Sequence, residues 1–346
     1  MNGHIPILKL LPEYELTTIY ARRRDMAEKV ATEHGIAHVV DTVEELVNHA
    51  DVDLVVVAIP TPQHAEGIRL ALAAGKDVYC EWPLTTSTAI SSELLALARD
   101  KGARHLVGLQ RRLAPSNRYV RQLLDQGFVG KIRSVRIHVS IPYLGEHRWQ
   151  SLAWSLPVEN FANVVSIYAG HFLDMLFAAT GWPTDVAAIQ MNQFPLVTVV
   201  ETGEKVANTS LEQLVAIGRI GDNGAFSAHV EGGKYHGTSV QIEITGTDGD
   251  LRITNGNAFG ELNYTIEGAK ANDTALEVMP VPPELDWIPP SSLAPSVAEL
   301  GQLYAAYARD LREGTQVAPT FEDALRLHRL FDTLTASMAS GQRIAL

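Results

Sequence analysis

Short apolar or β-branched runs alternate with helically spaced stretches through the first third of the chain. ELTTIYA (15–21), DLVVVAI (53–59), KDVYC (76–80) and HLVGL (105–109) read as strands, while residues 25–34, 42–49, 62–74 and 86–101 carry helical spacing. A continuous run such as Leu54 to Ile59 lacks polar alternates, which predicts strands covered on both faces and so a parallel sheet flanked by helices. After about residue 114 the pattern changes. KIRSVRIHVSI (131–141) alternates, with Val135, Ile137, Val139 and Ile141 on one face and Arg136, His138 and Ser140 on the other. Further strands are expected at 213–219, 224–231, 239–246, 249–254 and 261–266, with turn chemistry at residues 221–224 (GDNG) and at Asp248-Gly249. Helices at 164–180, 296–313 and 320–339 are expected to cover one face of this second, largely antiparallel sheet, and the Pro-rich stretch 280–295 reads as a surface connection.

A parallel α/β domain that binds a dinucleotide ordinarily opens with a strand and a Gly-rich turn, whose backbone N–H groups and helix N-terminus hold the pyrophosphate. Here residues 2–6 (NGHIP) read as the start or interior of the helix after that turn, and the run 15–21 reads as the second strand. In the usual 3-2-1-4-5-6 order the first strand is central, so without it the runs 15–21 and 53–59 lose a shared neighbour. Each buried backbone group left unpaired costs ~1–3 kcal/mol. The expectation is a truncated gene model or late start codon; the alternatives are direct closure between those two strands, or another segment in the gap.

Two motifs bear on identity. AIPTPQH (58–64) follows one strand, and GKDVYCEWPL (75–84) contains the next. With Gly108-Leu109-Gln110-Arg111-Arg112, Ala169-Gly170-His171 and Phe321-Glu322-Asp323-Ala324, the chain resembles the glucose-fructose oxidoreductase, inositol dehydrogenase and rhizopine catabolism (Gfo/Idh/MocA) family over nearly its whole length. Within that family the likeness is nearest to the branch containing the fungal galactose-regulon repressor. The resemblance implies a Rossmann-like domain over residues 1–113, apparently lacking its first strand, and an α+β domain with a largely antiparallel open sheet over 114–346. It also implies NAD or NADP as cofactor and a small sugar-like substrate. A homo-oligomer, dimer or tetramer, is expected from the open face of the second sheet.

The family's dehydrogenases place a Glu-Lys-Pro triplet where this chain has Glu81-Trp82-Pro83. The lysine favours an alkoxide-like transition state, which an indole cannot do; Trp82 offers one N–H and a flat apolar face. It either stacks on a nicotinamide or sugar ring, or plugs a cleft. The family's aspartate four residues before His171 is replaced by Ile167. His171 and Asp174 share a helical face at i, i+3, and with an ordinary pKa near ~6.5 the imidazole is either a base for a hydroxyl proton or a hydrogen-bonded interior group. Asp174 is either its catalytic partner or a structural pair. The cofactor is expected at Arg22 and Arg23, suited to adenine or a 2'-phosphate, and at Pro60, Thr61, His64, Glu81, Trp82, Pro83, Gln110 and Arg111, near strand ends. Tyr143, Trp149 and Trp154, in a loop with His147 and Arg148, and Tyr168 beyond it supply rings for stacking on a sugar, or the packing of a lid.

Composition narrows the classes. With 28 basic and 40 acidic residues the formal charge is -12, which disfavours a polyanion-binding surface, so no nucleic acid is expected. No apolar run approaching ~20 residues and no basic, small-residue leader pattern is evident, so no membrane partner is expected. The single cysteine, Cys80, fits a reducing, cytoplasmic setting. Twelve histidines include none paired as His-x-x-x-His with a carboxylate, so no metal is expected, and no Gly-x-Ser-x-Gly elbow is present. Three readings remain: an NAD(P)-dependent sugar or polyol oxidoreductase, a non-catalytic nucleotide- or sugar-binding regulator, or a degenerate, truncated paralogue with no ligand.

Overall fold

A computed structural model describes residues 3–237, 239–257 and 264–346. The chain divides into two compact units, Met1–Gly108 with Trp287–Leu325, and Leu109–Asp286 with Arg326–Leu346. The first division falls near the expected boundary at 113/114, but residues 287–325 return to the N-terminal unit.

In the first unit the apolar runs become short parallel strands. β1 (Thr18–Ile19) pairs with β2 (His38–Val39), and β3 (Leu54–Val57), β4 (Asp77–Cys80) and β5 (His105–Val107) form a second sheet in that order. The two sheets are not joined through β1 and β3, so the direct closure considered from the sequence is not what forms. Helix α1 (His4–Leu10) places Ile5 in a cluster with Val30, Ala31 and Ile36, onto which Leu16, Ile19 and Val39 pack. Val78, Tyr79 and Cys80 of β4 are fully buried, as a strand between two neighbours under helices requires. Helices α2 (Arg24–His34), α3 (Val43–Val47), α4 (His64–Ala73) and α5 (Thr88–Lys101) link these strands, and side-chain caps at Thr42 and Ser87 accept the N–H groups of Glu45 and Ile90.

Helix α8 (Pro295–Glu313) corrects the sequence reading, which sets it on the second sheet. It packs on α1 instead. A Cβ at Gly301 would lie 2.5 Å from Ile7 Cδ1, so a larger residue there would have to displace the Ile7 side chain. Tyr304 stacks on Tyr79 at 5.3 Å, and Tyr307 Oη donates to Asp77 Oδ2 at 2.6 Å.

The second unit holds a nine-stranded sheet. Its central members are β6 (Ile132–Ser140), β11 (Gln213–Ile220), β12 (Gly224–Glu231) and β13 (Val240–Gly246), flanked by β8 (Pro183–Met191), β14 (Gly249–Asn255) and β15 (Thr265–Lys270). Pairing is antiparallel except between β6 and β12. The alternation read in 131–141 is realised, with Val135, Ile137, Val139 and Ile141 all buried. Helix α7 (Gly170–Thr180) covers that face, Phe177 meeting Phe226 of β12 edge-on at 5.1 Å. Of the strand expected at 261–266, residues 261–263 lie outside the described residues, and pairing with β14 runs over Thr265–Lys270. The sequence reading misses β8, whose Ala187 and Ala188 have weak strand preference and pair only because β11 lies beside them. Among the described residues one helical stretch, Val158–Thr180, is long and apolar enough to cross a bilayer, contrary to expectation. Seventy-eight percent of its most apolar window is buried inside the protein, as in a core helix.

Candidate functional site

In the first unit Pro60, Thr61, His64, Glu81, Trp82 and Pro83 of the expected cofactor residues follow the carboxyl ends of β3 and β4. Pro60 is half-buried and Thr61 buried where the chain leaves β3 in a 3-10 turn, Thr61–Gln63. Trp82 is buried at 5% exposure, one peptide beyond Glu81 and joined to Pro83 by a cis bond. His64 stands between the two loops: one ring nitrogen lies 2.7 Å from the carbonyl of Ile59, and the other 3.0 and 3.2 Å from those of Pro83 and Leu84. Burial pushes its pKa down against the pull of those carbonyls and of Glu81, so the ring is neutral at neutral pH. A neutral imidazole carries one N–H and bonds one loop at a time. His64 is therefore a fastener of whichever loop takes its proton, the chain after β3 or the Trp82-Pro83 turn. His64→Ala is expected to lower the free energy of unfolding by ~1–3 kcal/mol, with partial recovery in His64→Gln; equal denaturation midpoints for wild type and alanine variant would refute the fastening role.

Glu81 ends a second relay. Its carboxylate lies 2.6 Å from His4 Nε2, and His4 Nδ1 lies 2.8 Å from Tyr304 Oη, an arrangement met by Tyr304 donating to a ring that donates to Glu81. Arg22 and Arg23 are exposed, and Arg23 pairs with Asp25 at 2.5 Å. Cys80 is buried, which pushes its thiol well up and leaves it inert.

The remaining expected residues belong to the second unit. Gln110 and Arg111 begin a 3-10 turn, Gln110–Leu113. Gln110 Oε1 is buried without a hydrogen-bond partner among the described residues, an acceptor that a ligand donor would complete. Arg111 is 2% exposed, with its guanidinium 4.7 Å from the ring centre of Phe172 and Nη1 donating to Tyr264 Oη at 3.0 Å. That is an interior stacking role. His171 is buried near the start of α7. Asp174 is completely buried, and Arg112 forks onto both its oxygens, with Nε donating to Oδ2 at 2.8 Å. This is a buried, charge-assisted ion pair, a structural contact of the carboxylate.

Three of the four expected substrate residues meet. Tyr143, Trp149 and Tyr168 line a cavity of about 560 Å³ in the second unit, with Glu146, Arg148 and Tyr235. Trp154 is not in its lining; half-buried in the turn Gln150–Ser155, it accepts a hydrogen bond at its carbonyl from Asn160. Two loops abut at Gly145 and Gly233, where a Cβ on Gly233 would lie 2.8 Å from the Cα of Gly145, and this contact brings Tyr235 beside residues 142–149. The sequence reading misses Tyr235. Its only local signal is an aromatic in a glycine-rich turn, GGKYHG (232–237).

Beneath the aromatic wall, Arg148 (2% exposed) pairs with fully buried Glu212 at 3.4 Å. Glu212 also accepts from Asn208 at 2.9 Å and Ser210 at 3.0 Å. Burial raises the Glu212 carboxyl, and the bonds from Asn208, Ser210 and Gln193 oppose it. Arg148 Nε is buried and without a partner among the described residues. Burial likewise pushes the Tyr168 phenol up to about 12, so it stays protonated and can donate at neutral pH. The cavity thus presents flat rings with a phenol and a guanidinium among them, a set suited to a polyhydroxylated ring.

Residues 2–109 match the family model described as "Oxidoreductase family, NAD-binding Rossmann fold", and residues 115–255 that of "Gal80p, C-terminal domain". The chain is 32% identical over 219 residues to dehydrogenase aclE of Aspergillus oryzae, which covers 61% of this chain and 59% of that relative's length. It is 24% identical over 301 residues to the galactose/lactose metabolism regulatory protein GAL80 of Saccharomyces cerevisiae, covering 80% of this chain and 69% of that one. Among solved structures, levoglucosan dehydrogenase in complex with NADH and levoglucosan superposes with a TM-score of 0.86 at 18% identity, covering 98% of this chain and 93% of the other, a likeness of fold. The two matched regions lie in sequence order on the parallel-sheet unit and the large-sheet unit. Residues 2–109 are thus similar to the NAD-binding Rossmann domain of that oxidoreductase family, and residues 115–255 to the C-terminal domain of Gal80p.

Proposed function

We propose that this protein is an NAD(P)-dependent oxidoreductase acting on a sugar, polyol or related derivative. The observation that carries the reading is the cavity of the second unit, where Tyr143, Trp149 and Tyr168 supply rings and Arg148 a buried, unsatisfied N–H. The residues at the ends of β3 and β4 fit the ring end of a dinucleotide, because Trp82 brings a flat apolar surface with one donor and Thr61 a hydroxyl. A bound nicotinamide supplies the hydride acceptor or donor. Of the protein's own groups, Tyr168 holds its proton and donates to a substrate oxygen, while His171, one helical turn farther on, is assigned the role of base. The exposed apolar side chains Ile189, Met191, Val215 and Ile217 on the outer face of the large sheet support self-association.

Reduction of NAD and NADP across a panel of sugars and polyols tests this reading. Wild-type turnover is expected, abolished in His171→Ala with dinucleotide binding intact. Trp149 is 57% exposed, so Trp149→Ala is expected to spare the fold while weakening substrate binding about tenfold. A second reading is a regulator that binds without turnover, and the indole in place of the catalytic ammonium favours it. Quenching of tryptophan emission by dinucleotide, with no turnover on any member of the panel, would replace the first reading with this one.

A further inference from the structure

We propose that His138, His229 and Glu231 form a binding site for a divalent transition-metal ion of the zinc type on the outer face of the large sheet. Strand alternation puts His229 and Glu231 of β12 on the face opposite Phe226, away from α7, and the parallel register sets His138 of β6 directly beside His229. The two imidazoles stack with centres 5.1 Å apart and planes 25° from parallel. Glu231 Oε1 lies 2.8 Å from His138 Nε2, and one ligand atom from each of the three residues lies within 4.8 Å of the other two. Gln213 Nε2 donates to His229 Nε2 at 2.9 Å, and this amide turns away when a metal takes that nitrogen.

The chemistry of the set selects the ion. Two imidazoles and one carboxylate suit zinc and its borderline neighbours, whereas magnesium and calcium prefer all-oxygen shells. Three protein ligands leave a position for water. A cation already visits the carboxylate: Lys234 Nζ lies 3.1 Å from Glu231 Oε1. Its side chain is 44% exposed, so it can swing into solvent when a metal arrives. A second group, His38, His49 and Asp51, meets the same distance limit, but its aspartate is 60% exposed. It serves as the control for surface histidine binding.

The test is zinc titration of the chelator-stripped full chain by calorimetry, with metal content read after dialysis. One zinc per chain is expected, with affinity falling at least about tenfold in His138→Ala, His229→Ala and Glu231→Gln, and unchanged in His38→Ala. Lys234→Ala is expected to tighten binding about two- to fivefold by removing the competing ammonium, an effect that a purely structural cluster would not give. Should a histidine variant fail to fold, cobalt added to the unaltered chain decides, since a tetracoordinate site gives strong visible d–d absorption. No stoichiometric uptake by the unaltered chain, equal affinity in Glu231→Gln, or uptake lost only in His38→Ala would overturn the proposal.

Discussion

Asp174→Ala is expected to destabilise the second unit by ~3–5 kcal/mol, because it strands the Arg112 guanidinium without the carboxylate that Arg112 forks onto. The loss exceeds that of a surface pair because the aspartate is fully buried and its partner's side chain only 15% exposed, so water cannot replace the missing acceptor. Asp174→Asn keeps one acceptor oxygen and should lose less, while Arg112→Met with Asp174→Leu, which removes both charges, should recover part of the loss. Chemical denaturation of the four proteins reads these values. A wild-type midpoint in Asp174→Ala would show that the pair contributes little.

Acidification should act through His328. This imidazole is buried beside Phe161, with ring centres 5.0 Å apart, and burial alone pulls its pKa from 6.5 down to about 3. The unfolded chain takes up a proton near pH 6.5 that the folded chain refuses until near pH 3, so in that window the unfolded state binds more protons and stability rises with pH. The contribution is complete above the unfolded pKa and is lost progressively as pH falls. Between about pH 6.5 and about pH 5 it amounts to ~2 kcal/mol, at ~1.4 kcal/mol per pH unit. His64 and His105, whose pKa values are also lowered chiefly by burial, steepen the same limb. His328→Leu keeps an apolar body against Phe161 and is expected to flatten the limb by its own share. An unchanged slope of unfolding free energy against pH in that variant would place the sensitivity elsewhere.

The sites divide along similar lines. The turn after β4 was legible because a short apolar strand followed by Glu81-Trp82-Pro83 is a local pattern, and the sugar-suited rings Tyr143 and Trp149 stand six residues apart in one loop. Tyr235 was not legible, because it reaches the cavity only through the contact of Gly145 with Gly233. The surroundings of Arg111 were not legible for a related reason. Its position after β5 suggested a ligand, but a guanidinium is settled by what surrounds it, here Phe172 and Tyr264, far along the chain. Asp174 met Arg112 in the same way, across 62 residues.

By itself the sequence determined the local elements: buried parallel strands from unbroken apolar runs, a half-covered sheet from the alternation in 131–141, and helices from their spacing and caps. These follow from periodicities that act over about ten residues, within which neighbouring side chains choose a common face. Only the tertiary structure decided that α8 returns to the N-terminal unit, that Arg112 holds Asp174, and that His138 stands beside His229 and Glu231. Each depends on strand register or helix docking between residues that are distant along the chain, and a one-residue slip of β12 would turn His229 and Glu231 to the opposite face.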